Sequence, residues 1–185
     1  MKTEPSVWLA VFVICAVEFF YINSGSTGQS ERLRRAVKGG CYDREAIRRG
    51  EIWRLLTVGF THIAPWHIAM NLYALYNMSS LEQFFGHAWF AVILFGSVAG
   101  GSLLEYRMSD TRYSVGLSGG LYGLMFSYFL LMIHFNTLDI RSMVITLVLN
   151  AAINFMPGIA WQAHIGGGIA GLLLTELFLL TQGYI

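Results

Sequence analysis

Gly116-Leu117-Ser118-Gly119-Gly120-Leu121-Tyr122-Gly123 opens an apolar run that continues to Phe135, and Ala163-His164-Ile165-Gly166-Gly167-Gly168 stands near the start of another, Trp161 to Leu180. A hydroxyl and an imidazole at the heads of two such runs must be accommodated at the edge of hydrocarbon, where polar groups are costly unless they bond to each other or carry a function. The glycines around them bear on packing. Gly116, Gly119, Gly120 and Gly123 line the start of the first run, and Gly167 and Gly171 form a G-x-x-x-G in the second. Small residues let helices in lipid approach backbone to backbone, so these two segments are expected to be neighbours, with Ser118 carried toward His164.

The rest of the chain has the same character. Its 185 residues are 55% hydrophobic and 12% charged, with a mean hydropathy of +0.54, too few charges to cover a water-soluble globule. Six apolar segments are read as spans: Val7 to Ile22, Trp66 to Phe85, Ala88 to Leu104, Leu117 to Phe135, Ile140 to Phe155 and Trp161 to Leu180. One long hydrophilic loop runs from Asn23 to Ile63, and the other connections are too short for a separate soluble domain. The expectation is therefore an all-α membrane protein, residues 1–185 forming a single six-helix membrane domain. Trp8, Trp66, Trp89 and Trp161 fall at or near the first residue of a span, where indole rings sit at the headgroup level. Glu18 interrupts the first apolar run and no Ala-x-Ala cleavage site follows, so that run is read as a retained helix. Cys15 in the first span and Cys41 in the loop are read as free thiols.

Ser118 opens its helix, where backbone N–H groups lack intrahelical acceptors and the positive end of the helix dipole faces outward. That is a ready site for an oxyanion. Tyr122, four residues on, shares the face of Ser118 and can pack against an imidazole. A second polar cluster precedes and opens span two: His62, then His67 and Asn71, four apart and on one helical face. Donors of this kind, aimed at a developing oxyanion, are worth roughly 3 to 4 kcal/mol each in acyl transfer. Alternate spans cross in the same direction, so the heads of spans two, four and six lie on one side of the membrane and His67, Asn71, Ser118 and His164 can converge there. Asn150 and Asn154, four apart in span five, are read as bonding to neighbouring helices. Glu105 and Glu176 are read as solvated or paired carboxylates near span ends, and His87 and His134 as interfacial.

Taken together these motifs resemble those of the rhomboid family of intramembrane serine proteases, from about Trp53 to Gly171. The family's Trp-Arg pair matches Trp53-Arg54. Its histidine ahead of an H-x-x-x-N helix matches His62, His67 and Asn71, and its acidic residue and glycine closing span two match Glu82 and Gly86. Its G-x-S-G with a tyrosine four residues after the serine matches Gly116, Ser118, Gly119 and Tyr122, and its A-H-x-x-G-x-x-x-G matches Ala163, His164, Gly167 and Gly171.

The resemblance implies that Ser118 is a nucleophile and His164 its general base and then general acid, a pair with no carboxylate third member. It also implies an oxyanion hole made by the Ser118 N–H, His67 and Asn71. Its substrates would be single-span membrane proteins entering beside spans two and five. Membrane lipids are the other expected partner; no nucleic acid, cofactor or metal is expected. The non-enzyme alternative is a rhomboid-like binding or escort factor, and such proteins lose the serine or the histidine. Two other chemistries fit less well: the G-x-S-x-G elbow of Gly116 to Gly120 calls for a strand ahead of the serine and a soluble sheet, and no histidine is followed by the glutamate of an H-E-x-x-H zinc site. A transporter would show internal repeats or paired broken helices.

Orientation divides the signals. Eight of the twelve basic residues lie in the first loop (Arg32, Arg34, Arg35, Lys38, Arg44, Arg48, Arg49 and Arg54), and Lys2 and Arg141 alone mark the opposite face. Counted literally, the positive-inside rule puts the active face in the cytoplasm. The resemblance implies a bacterial inner membrane with that face extracytoplasmic. The latter is the expectation adopted, the loop being read as a folded, membrane-hugging element whose charges pair with Glu31, Asp43, Glu45 and Glu51.

Overall fold

A computed structural model describes residues 6–156 and 158–185; Lys2 lies outside them. Helices dominate: α1 (Val7–Asn23), α2 (Gln29–Gly39), α3 (Arg44–Arg48), α4 (Arg54–Thr57), α5 (Pro65–Asn77), α6 (Ser80–Met108), α7 (Ser118–His134), α8 (Ile140–Asn154) and α9 (Trp161–Thr181). The long helices are apolar on all sides rather than amphipathic. In α1, Val11, Cys15 and Ile22 turn inward while Val13, Ile14, Val17 and Phe20 are exposed; in α8 no residue is buried. Outward faces of this kind suit lipid, not water. Among the described residues α6 and α9 are long and apolar enough to cross a membrane, and α1, α7 and α8 are shorter apolar helices.

The core is a three-helix sandwich of α6, α7 and α9. Its glycines act through close approach: a Cβ at Gly167 would collide with the Gly119 carbonyl oxygen, and one at Gly171 with the Gly123 backbone. The α7–α9 contact is the one the glycine spacing foretells. The role of α6 as a third partner is not, although a Cβ at Gly101 would run into the Ala163 carbonyl. Thr175 clamps the seam lower down, donating to Ser127 Oγ at 2.7 Å. Gly167→Ala is therefore expected to lower stability by about 1–3 kcal/mol through overpacking, read as an earlier unfolding midpoint in mixed micelles. An unshifted midpoint would mean that α7 and α9 separate freely.

One expected boundary is corrected. Span two was expected to run from Trp66 to Phe85, with Glu82 and Gly86 closing it. The helix that Pro65 opens at its N1 position ends at Asn77, and Glu82 falls in the first turn of α6. Gly86 then breaks α6 with φ 73° and ψ 162°, a conformation open to glycine and not to residues carrying a Cβ. Glu82 has a task no local signal reveals: its carboxylate accepts the N–H groups of Val7 at 2.6 Å and Trp8 at 2.9 Å. It thereby caps α1, whose own N-cap residue Ser6 makes no side-chain bond. His87 Nδ1 also bonds to Glu82.

The first loop is folded. Arg54 is buried, donates to the carbonyls of Val37 and Cys41 at 2.9 Å each and to Glu51 at 2.7 Å, and lies over the Trp53 ring. Arg35 pairs with Glu31 and Arg48 with Glu45. Asp43 departs from the expected ion pairing: it caps α3 by accepting the N–H groups of Glu45 and Ala46. Two short strands, β1 (Tyr42–Asp43) and β2 (Tyr113–Ser114), pair antiparallel and tie this loop to the segment leading into Ser118. Cys15 and Cys41 are free and buried.

Candidate active site

Three supports place Ser118. The β1–β2 ladder holds the chain four residues upstream; the Gly116 N–H donates to the Val58 carbonyl at 3.1 Å; and the Leu117 N–H points at His62 Nε2, 3.4 Å away. Gly116 then takes φ +121°, which turns the chain so that α7 starts at Ser118 itself. The Ser118 N–H thus belongs to the first turn, where no i−4 carbonyl is available to it. A strand before the serine was not expected; β2 supplies one, though it belongs to a two-stranded antiparallel ladder and not to the sheet of a nucleophile elbow.

His164 lies three residues into α9, roughly 4.5 Å below its start at 1.5 Å per residue. The missing side chains of the glycine seam let α9 approach α7 closely enough for His164 Nε2 to reach Ser118 Oγ at 2.9 Å. The imidazole is buried and stacks on the Tyr122 ring, with centroids 4.2 Å apart and planes 8° from parallel. On its other edge, Nδ1 bonds to Asn154 Oδ1 of α8. Ser118 is half-buried and so open from one side.

His67 and Asn71 share a face of α5 and flank Gly116. A Cβ at Gly116 would lie 2.5 Å from His67 Cε1 and 3.3 Å from Asn71 Nδ2. Asn71 Nδ2 bonds to His62 Nε2 at 2.8 Å, and the rings of His62 and His67 meet edge to face. His62, His67, Asn71 and the backbone ahead of Ser118 thus form one cluster, whereas Trp53 and Arg54 brace the first loop, Glu82 caps α1 and Gly86 breaks α6, and these four take no part in it.

His62 belongs to the first loop, and its burial, reinforced by nearby His67, pushes its imidazole down to about 3. Its Nε2 faces two donors, Asn71 and the Leu117 N–H, so the proton of the neutral ring belongs on Nδ1, facing the Phe60 carbonyl. Between pH 6.5 and about 3 the unfolded chain holds a proton here that the folded chain does not. Stability is full above pH 6.5 and falls as the pH drops through that window, by up to about 1.4 kcal/mol per unit. In unfolding titrations from pH 7.5 to 5, the parent should lose stability more steeply than His62→Gln; parallel slopes would contradict a buried neutral ring.

Two residues near the centre carry more than the sequence assigns them. Asn154 bonds to neighbouring helices as its position in α8 leads one to expect, but its partners are the His164 ring itself and the Tyr122 hydroxyl, to which its Nδ2 donates at 3.3 Å. Its sole sequence signal is an asparagine pair four apart on an apolar helix. Glu105 was expected to be solvated or paired at a helix end. Instead it is buried in the wall of a cavity of about 20 Å³ that reaches Ser118, Gly116 and Ala163. Ser114 donates to its Oε2, and Oε1 has no partner among the described residues. An acidic residue thus lies near the head of α7, although none among the described residues bonds to His164.

Residues 49–181 match the family model described as the Rhomboid domain, and the chain belongs to the rhomboid family. It is similar to RHOMBOID-like protein 5 of Arabidopsis thaliana, 31% identical over 156 residues that cover 80% of this chain and 50% of that protein. RHOMBOID-like protein 1 of the same plant is 32% identical over 145 residues, 75% of this chain and 37% of the relative. Rhomboid protease GluP of Bacillus subtilis (strain 168) is 28% identical over 186 residues, 92% of this chain and 36% of that protein. The chain spans half or less of the length of these relatives. Family and apolar helices together define an integral membrane protein built as an all-α bundle.

Proposed function

We propose that this protein is an intramembrane serine endopeptidase working with a Ser118–His164 pair. The observation that carries the reading is the 2.9 Å bond from Ser118 Oγ to His164 Nε2, made between two apolar helices at their heads. His164 Nε2 takes the Ser118 hydroxyl proton as Oγ attacks the scissile carbonyl carbon. The oxyanion is received by the Ser118 N–H, the His67 ring and the Asn71 amide. The same imidazole then gives the proton to the leaving amine as the C–N bond breaks. Water, attacking with His164 as base, releases the acyl group and restores the hydroxyl. The cavity beside Ser118 has room for one water and polar walls in Ser102, Ser114 and Glu105. A catalytic carboxylate is dispensable on physical grounds, because a charge in hydrocarbon costs several kcal/mol and a neutral imidazole much less.

Substrates in this reading are single-span membrane proteins that enter sideways between α5 and α8. What supports that route is the absence of buried residues on α8, together with an open groove of about 330 Å³ lined by Asn77, Leu81, Met125, Tyr128, Phe129 and Thr146. The cut bond must be extended, so cleavage is placed near helix-weakening Gly or Pro residues at one end of the substrate span. The active face is assigned to the extracytoplasmic side of a bacterial inner membrane. The folded first loop supports this, because Arg35, Arg44, Arg48 and Arg54 are engaged with carboxylates and carbonyls rather than free for the short-loop charge count. A tagged single-span substrate incubated with the protein in liposomes, with the cut mapped by mass spectrometry, tests the proposal. Intact substrate, together with no labelling of Ser118 by a fluorophosphonate probe, would favour a binding or escort role instead.

A further inference from the structure

We infer that Asn154 of α8 is a positioning residue that holds His164 in the one tautomer able to accept the Ser118 proton; the inference rests on the Ser118–His164 reading. The directionality of a hydrogen-bond chain carries it. The Asn150 carbonyl can only accept, so the Tyr122 hydroxyl, 3.1 Å away, must donate to it. That leaves the Tyr122 oxygen as an acceptor, and it takes the Asn154 Nδ2–H at 3.3 Å. With its amide nitrogen so committed, Asn154 turns Oδ1 toward His164 Nδ1. An oxygen acceptor there requires Nδ1–H, which places the lone pair on Nε2, and Nε2 faces Ser118 Oγ at 2.9 Å.

Polarity is thus set at the far end of the relay, on a backbone carbonyl that cannot reverse. Flipping the Asn154 amide would put an NH₂ against Nδ1, move the ring proton to Nε2 and leave Ser118 facing a donor. The Tyr122 ring fixes the plane of the imidazole by stacking, but it cannot choose between tautomers. Asn154 makes that choice, with a neutral side chain where a carboxylate would have to be buried. The same bonds tether α8: among the described residues, Asn150 and Asn154 make its hydrogen bonds to other helices. A shift of α8 away from α7 and α9 therefore also releases the histidine.

The test uses the full chain in detergent micelles and compares the parent, Asn154→Leu, Asn154→Asp, Tyr122→Phe and Ser118→Ala. Two readouts are taken: the rate of fluorophosphonate labelling at Ser118, and the ring ¹⁵N signals of His164. Asn154→Leu keeps the side chain's size and removes the acceptor. It should label at least about tenfold more slowly, part of the factor that general base catalysis contributes, with the His164 signals moving from the Nδ1–H pattern to a tautomer average. Asn154→Asp retains an oxygen acceptor and should recover labelling to within about threefold of the parent. Tyr122→Phe keeps the ring stack and frees the amide to flip; it should slow labelling less than Asn154→Leu and shift the ¹⁵N signals in the same direction. The inference is overturned by parental labelling with an unchanged Nδ1–H signature in Asn154→Leu, or by Asn154→Asp being as slow as Asn154→Leu. Absence of labelling in the parent, or labelling that survives in Ser118→Ala, would instead sink the underlying Ser118–His164 reading.

Discussion

Ser118→Ala and His164→Ala should each reduce substrate cleavage by about 10³-fold or more, and the double variant should be no slower than either single one. The reason is that the two groups act as a unit: without the hydroxyl there is no acyl intermediate, and without the imidazole the hydroxyl keeps its proton through the attack. Residual turnover would come from oxyanion stabilisation and substrate positioning alone. Ser118→Ala removes no packing group from the α6–α7–α9 seam, since Ser118 stands at the open head of α7, and its folding should be close to that of the parent. His164→Ala empties a buried site stacked on Tyr122 and bonded to Asn154, so its unfolding midpoint should fall, and its cleavage rate is compared per folded protein. The measurement is initial cleavage rate in liposomes beside an unfolding curve. Cleavage by either single variant within tenfold of the parent would falsify the assignment.

Gly116→Ala is the second large effect, expected at about 100-fold or more in turnover. Two physical costs coincide at this position. The backbone there has φ +121°, a region where a Cβ is strained by about 1–3 kcal/mol. The added methyl would also sit 2.5 Å from the His67 ring and 3.3 Å from the Asn71 amide, so both proposed oxyanion donors must move. Losing one such donor costs about 10²–10³ in rate. Gly28→Ala serves as the control, because that glycine has extended backbone and nothing within 4 Å of its would-be Cβ. Turnover in Gly116→Ala equal to that of Gly28→Ala would remove His67 and Asn71 from the oxyanion hole.

The pairing of Ser118 with His164 was open to a reading of residues because it follows from two local facts: helix heads leave backbone donors free, and glycines at a spacing of four create a flat face. The shared face of His67 and Asn71 followed from the same helical spacing, with His62 close by in the chain just ahead of the helix. Asn154 did not, since its partner depends on how α8 is rotated and seated beside α9. Glu82 is equally opaque, because the donors it satisfies lie 74 and 75 residues away at the head of α1. The strands β1 and β2 are two residues each, too short for any alternation of polar and apolar residues to declare them. The end of α5 at Asn77 was misplaced because apolar residues continue on both sides of it, and hydropathy alone does not register a turn inside an apolar run.

Composition and spacing pointed to a lipid-embedded helical chain and to a serine and a histidine at the heads of neighbouring helices, for these depend on side-chain chemistry and on the helical period, both local properties; the roles of the two groups came only from the family resemblance. The hydrogen-bond chain from the Asn150 carbonyl to Ser118, the cap on α1 and the buried carboxylate beside the serine belong to the tertiary structure. Each requires a donor and an acceptor from distant parts of the chain to meet at hydrogen-bond range, and only the packed arrangement of the helices decides which of them do.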